Sequence, residues 1–244
     1  MSKHMDIMRD NRIIMDALSP DIAKQAAGIL AAEMVEDGMV IGLGTGSTVL
    51  FAMQKLSAKV RDGLDIAGVP TSFQAAMRAR ELGIPLTTLD DYPVLDLAID
   101  GADQVDPGFR VIKGRGAAQL REKCVAAAAG RFIVVADPGK IVAALDAAVP
   151  LEVLPFAVTP VLSALKCLGG DPVLREGQKK DGPVITDNGN MVVDCRFGLL
   201  HQPEQMECTL STIPGVLSCG IFCGFTEKTT VIVGDMAGAR ILPR

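Results

Sequence analysis

Between Leu97 and Lys123 the chain reads LAIDGADQVDPGFRVIKGRGAAQLREK. An apolar strand ends in two carboxylates, Asp100 and Asp103, with Gly101 and Ala102 between them. A glycine-broken loop then carries Lys113, and Glu122 lies in the first turns of the helix that follows. Ionisable groups of both signs thus meet at the mouth of a strand–loop–helix unit, where open α/β sheets bind ligands. Core packing has no need of such a cluster; acid–base chemistry on a polar substrate does. Glu122 is a general base if it points toward the strand ends. If it points outward it is a surface acid that complements the helix dipole. Lys113 is a candidate to neutralise an oxyanion formed in a transition state, against the plain alternative of a solvated lysine. The paired acids suit proton exchange or the orientation of hydroxyl groups, or else one caps a turn and the other is solvated. A divalent metal would need further ligands that the sequence does not offer nearby, so no metal site is expected.

Three more loops carry polar groups toward the same sheet edge. Gly44-Thr45-Gly46-Ser47-Thr48 joins a buried strand to a helix. Its backbone amides and hydroxyls suit a phosphate monoester at a helix N-terminus, although it lacks the lysine of a P-loop and the full G-x-G-x-x-G spacing. An ordinary capped turn is the competing reading. Lys113-Gly114-Arg115-Gly116 is a second glycine-rich turn entering a helix, and Asp137-Pro138-Gly139-Lys140 offers Lys140 as a second cation for substrate.

The elements that must position these groups follow from periodicity. Ser19-Pro20-Asp21 is a helix start, with Ser as cap and Pro at the first helical position. That helix runs to about Ala32. Strands are expected at Met39–Leu43, Leu64–Val69, Pro85–Leu89, Val94–Ile99 and Phe132–Ala136. Helices are expected beginning at Val49, over Ser72–Leu82 and over Ala117–Ala129. Strands alternating with helices imply a mainly parallel sheet covered on both faces. After Val149-Pro150 the texture changes. A helix is expected over Leu154–Leu168, short strands at Val173–Arg175, Val184–Thr186 and Met191–Cys195, and a helix over Pro203–Ile213. Asp187-Asn188-Gly189-Asn190 is a hairpin signal, and Thr229–Gly234 is a strand that returns to the first sheet. The expected organisation is an N-terminal extension over 1–18, an α/β domain over 19–148 joined by 226–244, and a small α+β domain over 149–225.

The totals exclude several classes. The chain has 244 residues, 49% of them hydrophobic, with a net charge of −5. A core therefore forms without disulfides or metal, and a general nucleic-acid binder is disfavoured. No Trp and one Tyr leave little for stacking on bases. The six cysteines form no C-x-x-C pair and only His4 and His201 are at hand to complete a zinc site, so buried free thiols are expected. The charged N-terminus lacks the apolar core of a signal peptide, and no apolar run is long enough to span a bilayer. These readings point to a cytoplasmic protein with no nucleic-acid or membrane partner.

Taken in order, GLGTGST, DLAIDGAD, IKGRGAAQLREK, VVADPGK, EVLPFAV and VITDNGNMVVD resemble type A ribose-5-phosphate isomerases from about Asp21 to the C-terminus. The resemblance implies interconversion of ribose 5-phosphate and ribulose 5-phosphate through an enediolate, with no metal or organic cofactor. It implies a Rossmann-like α/β domain with a smaller lid domain, assembled as a homodimer or homotetramer. Glu122 would be the proton-transferring base and Lys113 the oxyanion partner. Asp100 and Asp103 would hold hydroxyls and assist ring opening. Thr45, Gly46, Ser47, Thr48, Gly101, Ala102, Gly114, Arg115, Gly116 and Lys140 would contact substrate, and Lys24 in the first helix takes the place of a family lysine. Arg115 departs from the family, which commonly has glycine there. Two other classes use a similar sheet: a sugar-phosphate-sensing domain without catalysis, and a coenzyme A transferase with a glutamate nucleophile. A sensor has no need of both Lys113 and Glu122.

Overall fold

In the computed structural model, which describes residues 21–244, the apolar runs separated by helices in sequence lie side by side. In chain order the elements begin with helix α1 (21–33), strand β1 (Met39–Leu43), helix α2 (Ser47–Arg61), β2 (Ile66–Pro70) and α3 (Phe73–Glu81). They continue with β3 (Leu95–Gly101), β4 (Gln104–Val105), β5 (Val111–Ile112), α4 (Gln119–Ala128) and β6 (Ala129–Ala136). Then come β7 (Val149–Val153), α5 (Val158–Cys167), β8 (Asp171–Leu174), β9 (Met191–Arg196) and α6 (Pro203–Ser211). The chain closes with β10 (Val216–Cys219), β11 (Ile221–Phe222), β12 (Thr229–Asp235) and β13 (Gly238–Ile241).

The main sheet has the order β13-β12-β6-β3-β1-β2 and is parallel except for the β12–β13 hairpin at its edge. Strands buried on both faces read as continuous apolar runs, as in Phe132–Ala136 at the centre. One face packs small residues of α1, α2 and α3, such as Ala27, Ala31, Ala52 and Ala75, against Ile41, Leu43, Ile99 and Ile133. The other packs Val125 and Ala126 of α4, with Phe109 and Phe222 of the smaller sheet's segments, against Ala98, Phe132 and Val134. Burying each large side chain contributes roughly 1.5–3 kcal/mol, so both layers hold the strand ends that carry the polar groups.

A four-stranded antiparallel sheet, β10-β7-β9-β8, has its own core of Leu151, Val153, Val161, Leu165, Val193 and Leu210. A three-stranded sheet, β11-β5-β4, lies between, and Ile112 and Ile221 of it join that second core. β12 returns the chain to the first sheet beside β6, in parallel register from Thr229 opposite Phe132.

Several expected elements differ. The Ser19 cap and Pro20 lie outside the described residues, as does the 1–18 extension. Helix α2 starts at Ser47 rather than Val49, so Ser47 and Thr48 belong to its first turn. Pro85–Leu89 is not a strand: only Leu86 bridges to Gly68, since Pro85 has no N–H to give a ladder. Val184–Thr186 likewise reduces to an isolated bridge between Ile185 and Met191, because Thr186 turns its backbone to close the 186–190 turn with Asn190. All six cysteines are free, but Cys124, Cys167 and Cys208 are exposed rather than buried. Among the described residues no helix is long and apolar enough to cross a membrane.

Candidate active site

Strands β1, β3 and β6 end side by side, and the loops leaving them wall a cavity of about 820 Å³. Behind its wall, Asp100 is the penultimate residue of β3, with 2% exposure. Its Oδ1 accepts hydrogen bonds from the backbone N–H of Gly101 at 2.7 Å and of Thr45 at 3.3 Å. Gly44 is required here, because a Cβ at that position would lie 2.2 Å from Asp100 Oδ1. The loop after β1 is thereby fastened to the end of β3.

Lys113 follows β5, and its backbone N–H donates to Gly220 O, so the small sheet seats it. Its side chain turns inward to 3% exposure. Nζ donates to Gly101 O at 2.6 Å and lies 3.1 Å from both Asp100 Oδ2 and Glu122 Oε2. The carbonyl takes the well-directed hydrogen bond, and the two carboxylate oxygens, although at ion-pair distance, have no hydrogen-bond partner in their buried positions. Glu122 is the fourth residue of α4 and is 5% exposed. Helix α4 enters from Ala117, whose φ of 58° is unusual for a residue with a side chain. That bend sets the rotation that aims Glu122 at Lys113 rather than at solvent.

Two carboxylates and one ammonium in a buried space carry a net negative charge. Burial, followed by the neighbouring Asp100 charge, pushes the Glu122 carboxyl up to about 8 against the opposing pull of Lys113. Burial also raises Asp100, with Lys113 opposing. For Lys113 burial is the largest single influence and acts downward, but Asp100 and Glu122 together outweigh it and hold the ammonium protonated. The acids exchange protons as a unit. A carboxyl poised near neutrality beside a fixed cation is suited to proton transfer at carbon.

The other expected residues line the same cavity: Lys24, Thr45, Gly46, Ser47, Thr48, Gly101, Ala102, Asp103, Gly114, Arg115, Gly116 and Lys140. Asp100 does not; it stands behind Lys113 and Gly101. Gly46, with φ 124°, makes the turn into α2, and no side chain caps the helix, leaving the first-turn amides open toward the cavity. Lys24 is paired at 3.4 Å with Asp21. Lys140 ends the short 3-10 turn Pro138–Lys140 after β6. Asp103 Oδ2 accepts from the backbone N–H of Arg115 at 3.0 Å. The Arg115 side chain is 83% exposed, and its backbone is outside the left-handed region, so replacing glycine here brings no strain.

Sequence reasoning missed five contributors. Thr71 and Ser72 follow β2, and Thr45 Oγ1 lies 2.9 Å from Thr71 Oγ1 and donates to Ser72 Oγ at 2.7 Å. Ser72, read from sequence only as the first residue of a helix, is the cap of α3. Gln74 and Arg78 of that helix also reach the cavity. Arg175, between β8 and β9, donates to the carbonyls of Gly114 and Arg115, each at 3.0 Å.

Comparison with known proteins identifies the family. A family model for ribose 5-phosphate isomerase A (phosphoriboisomerase A) matches residues 67–238. The ribose-5-phosphate isomerase A of Methanoregula boonei is 62% identical over 220 residues, 90% of this chain and 93% of that protein. The solved ribose 5-phosphate isomerase A of Methanocaldococcus jannaschii superposes with a TM-score of 0.86 at 41% identity, covering 91% of this chain and 98% of its own. A D-ribose-5-phosphate isomerase in complex with phospho-erythronic acid gives 0.87 at 45% identity, covering 91% and 97%. On this similarity, which runs nearly the full length of both partners, the chain belongs to the ribose 5-phosphate isomerase A family.

Proposed function

We propose that this chain interconverts D-ribose 5-phosphate and D-ribulose 5-phosphate with Glu122 as the base and Lys113 as the charge-stabilising partner. The observation that carries the assignment of roles is the buried Glu122–Lys113 contact of 3.1 Å on the wall of the cavity. Ionised Glu122 takes the C2 proton of the open-chain aldose and returns it to C1. The hydroxyl proton of O2 ends on O1, so the atoms balance. The enediolate between these steps carries negative charge on oxygen, which the Lys113 ammonium stabilises. Asp103, part-exposed on the cavity wall, takes the O1 hydroxyl proton of the furanose as the C1–O4 bond breaks and C1=O1 forms, and gives that proton to O4. Asp100 acts from behind, holding Lys113 charged and raising Glu122. The first-turn amides of α2, with Ser47, Thr48, Lys24 and Lys140, receive the phosphate. A relative binds phospho-erythronic acid, whose planar carboxylate has the shape and charge of an enediolate end.

The finer setting belongs to the same proposal: a homodimer or homotetramer in the cytoplasm, acting in the non-oxidative pentose phosphate pathway. Exposed Leu154, Phe156 and Leu217 at and beside β7 and β10 supply apolar surface that such an assembly would cover. The deciding experiment incubates the protein with ribose 5-phosphate and measures ketose, alongside Glu122→Gln. Ketose from the parent and almost none from the folded variant is expected. Parent-like turnover in Glu122→Gln would remove Glu122 from the mechanism. Light scattering on the eluting peak reads the assembly, and a monomer rejects that part.

A further inference from the structure

The turn that carries Lys113 is not held by its own sheet alone. A single guanidinium nitrogen, Nη1 of Arg175, donates to both Gly114 O and Arg115 O at 3.0 Å. The rest of the fork is engaged by Asp194: Nε donates to Oδ2 at 2.7 Å and Nη2 to Oδ1 at 2.5 Å. Asp194 lies on β9 opposite Val173 of β8, and the backbone of Arg175 is itself fixed, donating to Val192 O and accepting from Val184 N. The brace therefore starts from the antiparallel sheet and reaches the cavity loop across some 60 residues of chain.

Its effect on the loop follows from peptide geometry. In a trans peptide the C=O and the next N–H point in opposite directions. The Arg115 carbonyl is drawn to Arg175, which is not on the cavity wall, while Gly116 is on it. The Gly116 N–H, which has no partner among the described residues, is thus turned away from Arg175. The preceding peptide is held from both sides, at Gly114 O by Arg175 and at Arg115 N by Asp103. Two electron-rich carbonyls are kept away from the place where negative charge develops, and the residue that begins the loop is Lys113.

We propose that Arg175, oriented by Asp194, is a positioning residue that holds the 113–116 turn in the geometry that stabilises the enediolate. This rests on the reading of Lys113 as the partner of the developing charge. Bidentate geometry makes arginine specific for the task, since a lysine ammonium cannot span two carbonyls and a carboxylate in one plane.

The test compares steady-state kinetics of the full-length parent, Arg175→Met, Arg175→Lys, Asp194→Asn and Lys113→Met, with unfolding temperature read for each. Misplacement of reacting groups by about 1 Å costs on the order of 10²-fold. Arg175→Met is expected to lose about 10- to 100-fold in kcat with KM changed less than threefold. Arg175→Lys recovers the unfolding temperature but not kcat, and Asp194→Asn falls between. The kcat/KM pH profile of Arg175→Met moves to higher pH as Lys113 drifts from Glu122. A kcat within twofold of the parent in folded Arg175→Met, or full recovery of kcat by lysine, overturns the proposal. If Arg175→Met does not fold, Arg175→Lys and Asp194→Asn decide on the same criteria. An impaired Lys113→Met with unimpaired Arg175 variants rejects the brace and keeps the reading of the site. An unimpaired Lys113→Met rejects both.

Discussion

Glu122 and Glu152 are buried to nearly the same degree, 5% and 0% exposed, yet their surroundings differ in kind. Glu152, on β7, gives one oxygen to three donors: Thr186 Oγ1 at 2.8 Å, Asn188 Nδ2 at 2.9 Å and Asn190 Nδ2 at 2.8 Å. Those donors all come from the 186–190 turn, so the carboxylate is the hub that folds that turn. Glu122 meets a lysine and a second acid instead and lies on a cavity wall, while each of the two glutamates keeps one buried oxygen with no hydrogen-bond partner. Burial is common to both. Three donors converging from one turn hold the Glu152 carboxylate as part of the fold, whereas a carboxylate that meets only a lysine and another acid beside a cavity leaves capacity for a substrate to use. The difference separates a structural carboxylate from a reactive one without appeal to position in the chain.

The largest effects should fall on the open cluster. Glu122→Gln preserves shape and removes the base, and general-base catalysis is worth roughly 10²–10⁴-fold. Turnover is expected to drop by that amount, with circular dichroism and unfolding temperature close to the parent. Next comes Lys113→Met, which deletes the cation that meets the developing oxyanion. A loss on the order of 10²–10³-fold in kcat is expected, read in the same assay. Loss of folding in Glu122→Gln with retained specific activity of the soluble fraction would reverse the contrast between the two carboxylates.

Much of the open cluster was legible before the fold was known, and the closed one was not. Asp100, Lys113 and Glu122 fall within one strand–loop–helix unit, so a local pattern brought them together. Whether Glu122 faced inward was undecided in sequence, because the direction depends on the bend at Ala117, which no residue type there announces. Lys113 alone reads as a solvated side chain, and only the acids around it in sequence favour a functional role; its seat comes from β5 pairing with β11, strands of two residues each. Such strands are too short to show a period. Asn188 and Asn190 fall in the Asp187–Asn190 hairpin signal and Thr186 in the strand expected before it, but their partner Glu152 lies on another strand and nothing nearby in sequence predicts it. Arg175 was hidden for the same reason: its bonds to Gly114 and Arg115 cross some 60 residues. The parallel sheet was readable from alternation, while Pro85–Leu89 failed as a strand because apolar character alone does not supply a ladder donor.

A smaller, graded effect concerns pH. With the Glu122 carboxyl pushed up to about 8 from an ordinary 4.5, the base is mostly protonated at lower pH. The parent's kcat/KM is expected to rise by up to about tenfold per unit toward pH 8 and to level above it. Stability runs the other way. Between about 4.5 and 8 the folded protein keeps a proton that the unfolded chain has lost, so this group's contribution is fully present below 4.5 and is lost as pH rises through 8. Denaturant titrations across that window should show stability declining more steeply in the parent than in Glu122→Gln. Equal slopes would mean that Glu122 does not titrate there.

The smallest expected effect on activity comes from the closed cluster, where stability bears the change instead. Glu152→Ala leaves the buried donors of Thr186 and Asn190, and the exposed Asn188 amide, without their acceptor, and each orphaned buried group costs about 1–3 kcal/mol before local relaxation. A net loss on the order of 3 kcal/mol would lower Tm by roughly 6–12 °C for a chain of this size. The effect on kcat should stay below tenfold, because Glu152 reaches the cavity only through the turn it holds. That turn fastens two elements beside the site: Asp187 Oδ2 accepts from Phe73 N at 2.6 Å, and Asn188 Oδ1 accepts from Arg121 Nε at 2.7 Å. Arg121 also stacks over the Phe73 ring at 5.0 Å. This cation–aromatic contact ties α3 to α4 without the turn and keeps Glu122 aimed while Glu152 is absent. The double variant Glu152→Ala with Phe73→Ala removes both ties. If activity falls much further in the double variant than the two single losses combined, the turn and the aromatic contact back each other up; if the single Glu152→Ala already abolishes kcat with Tm unchanged, the division between structural and reactive carboxylate is wrong.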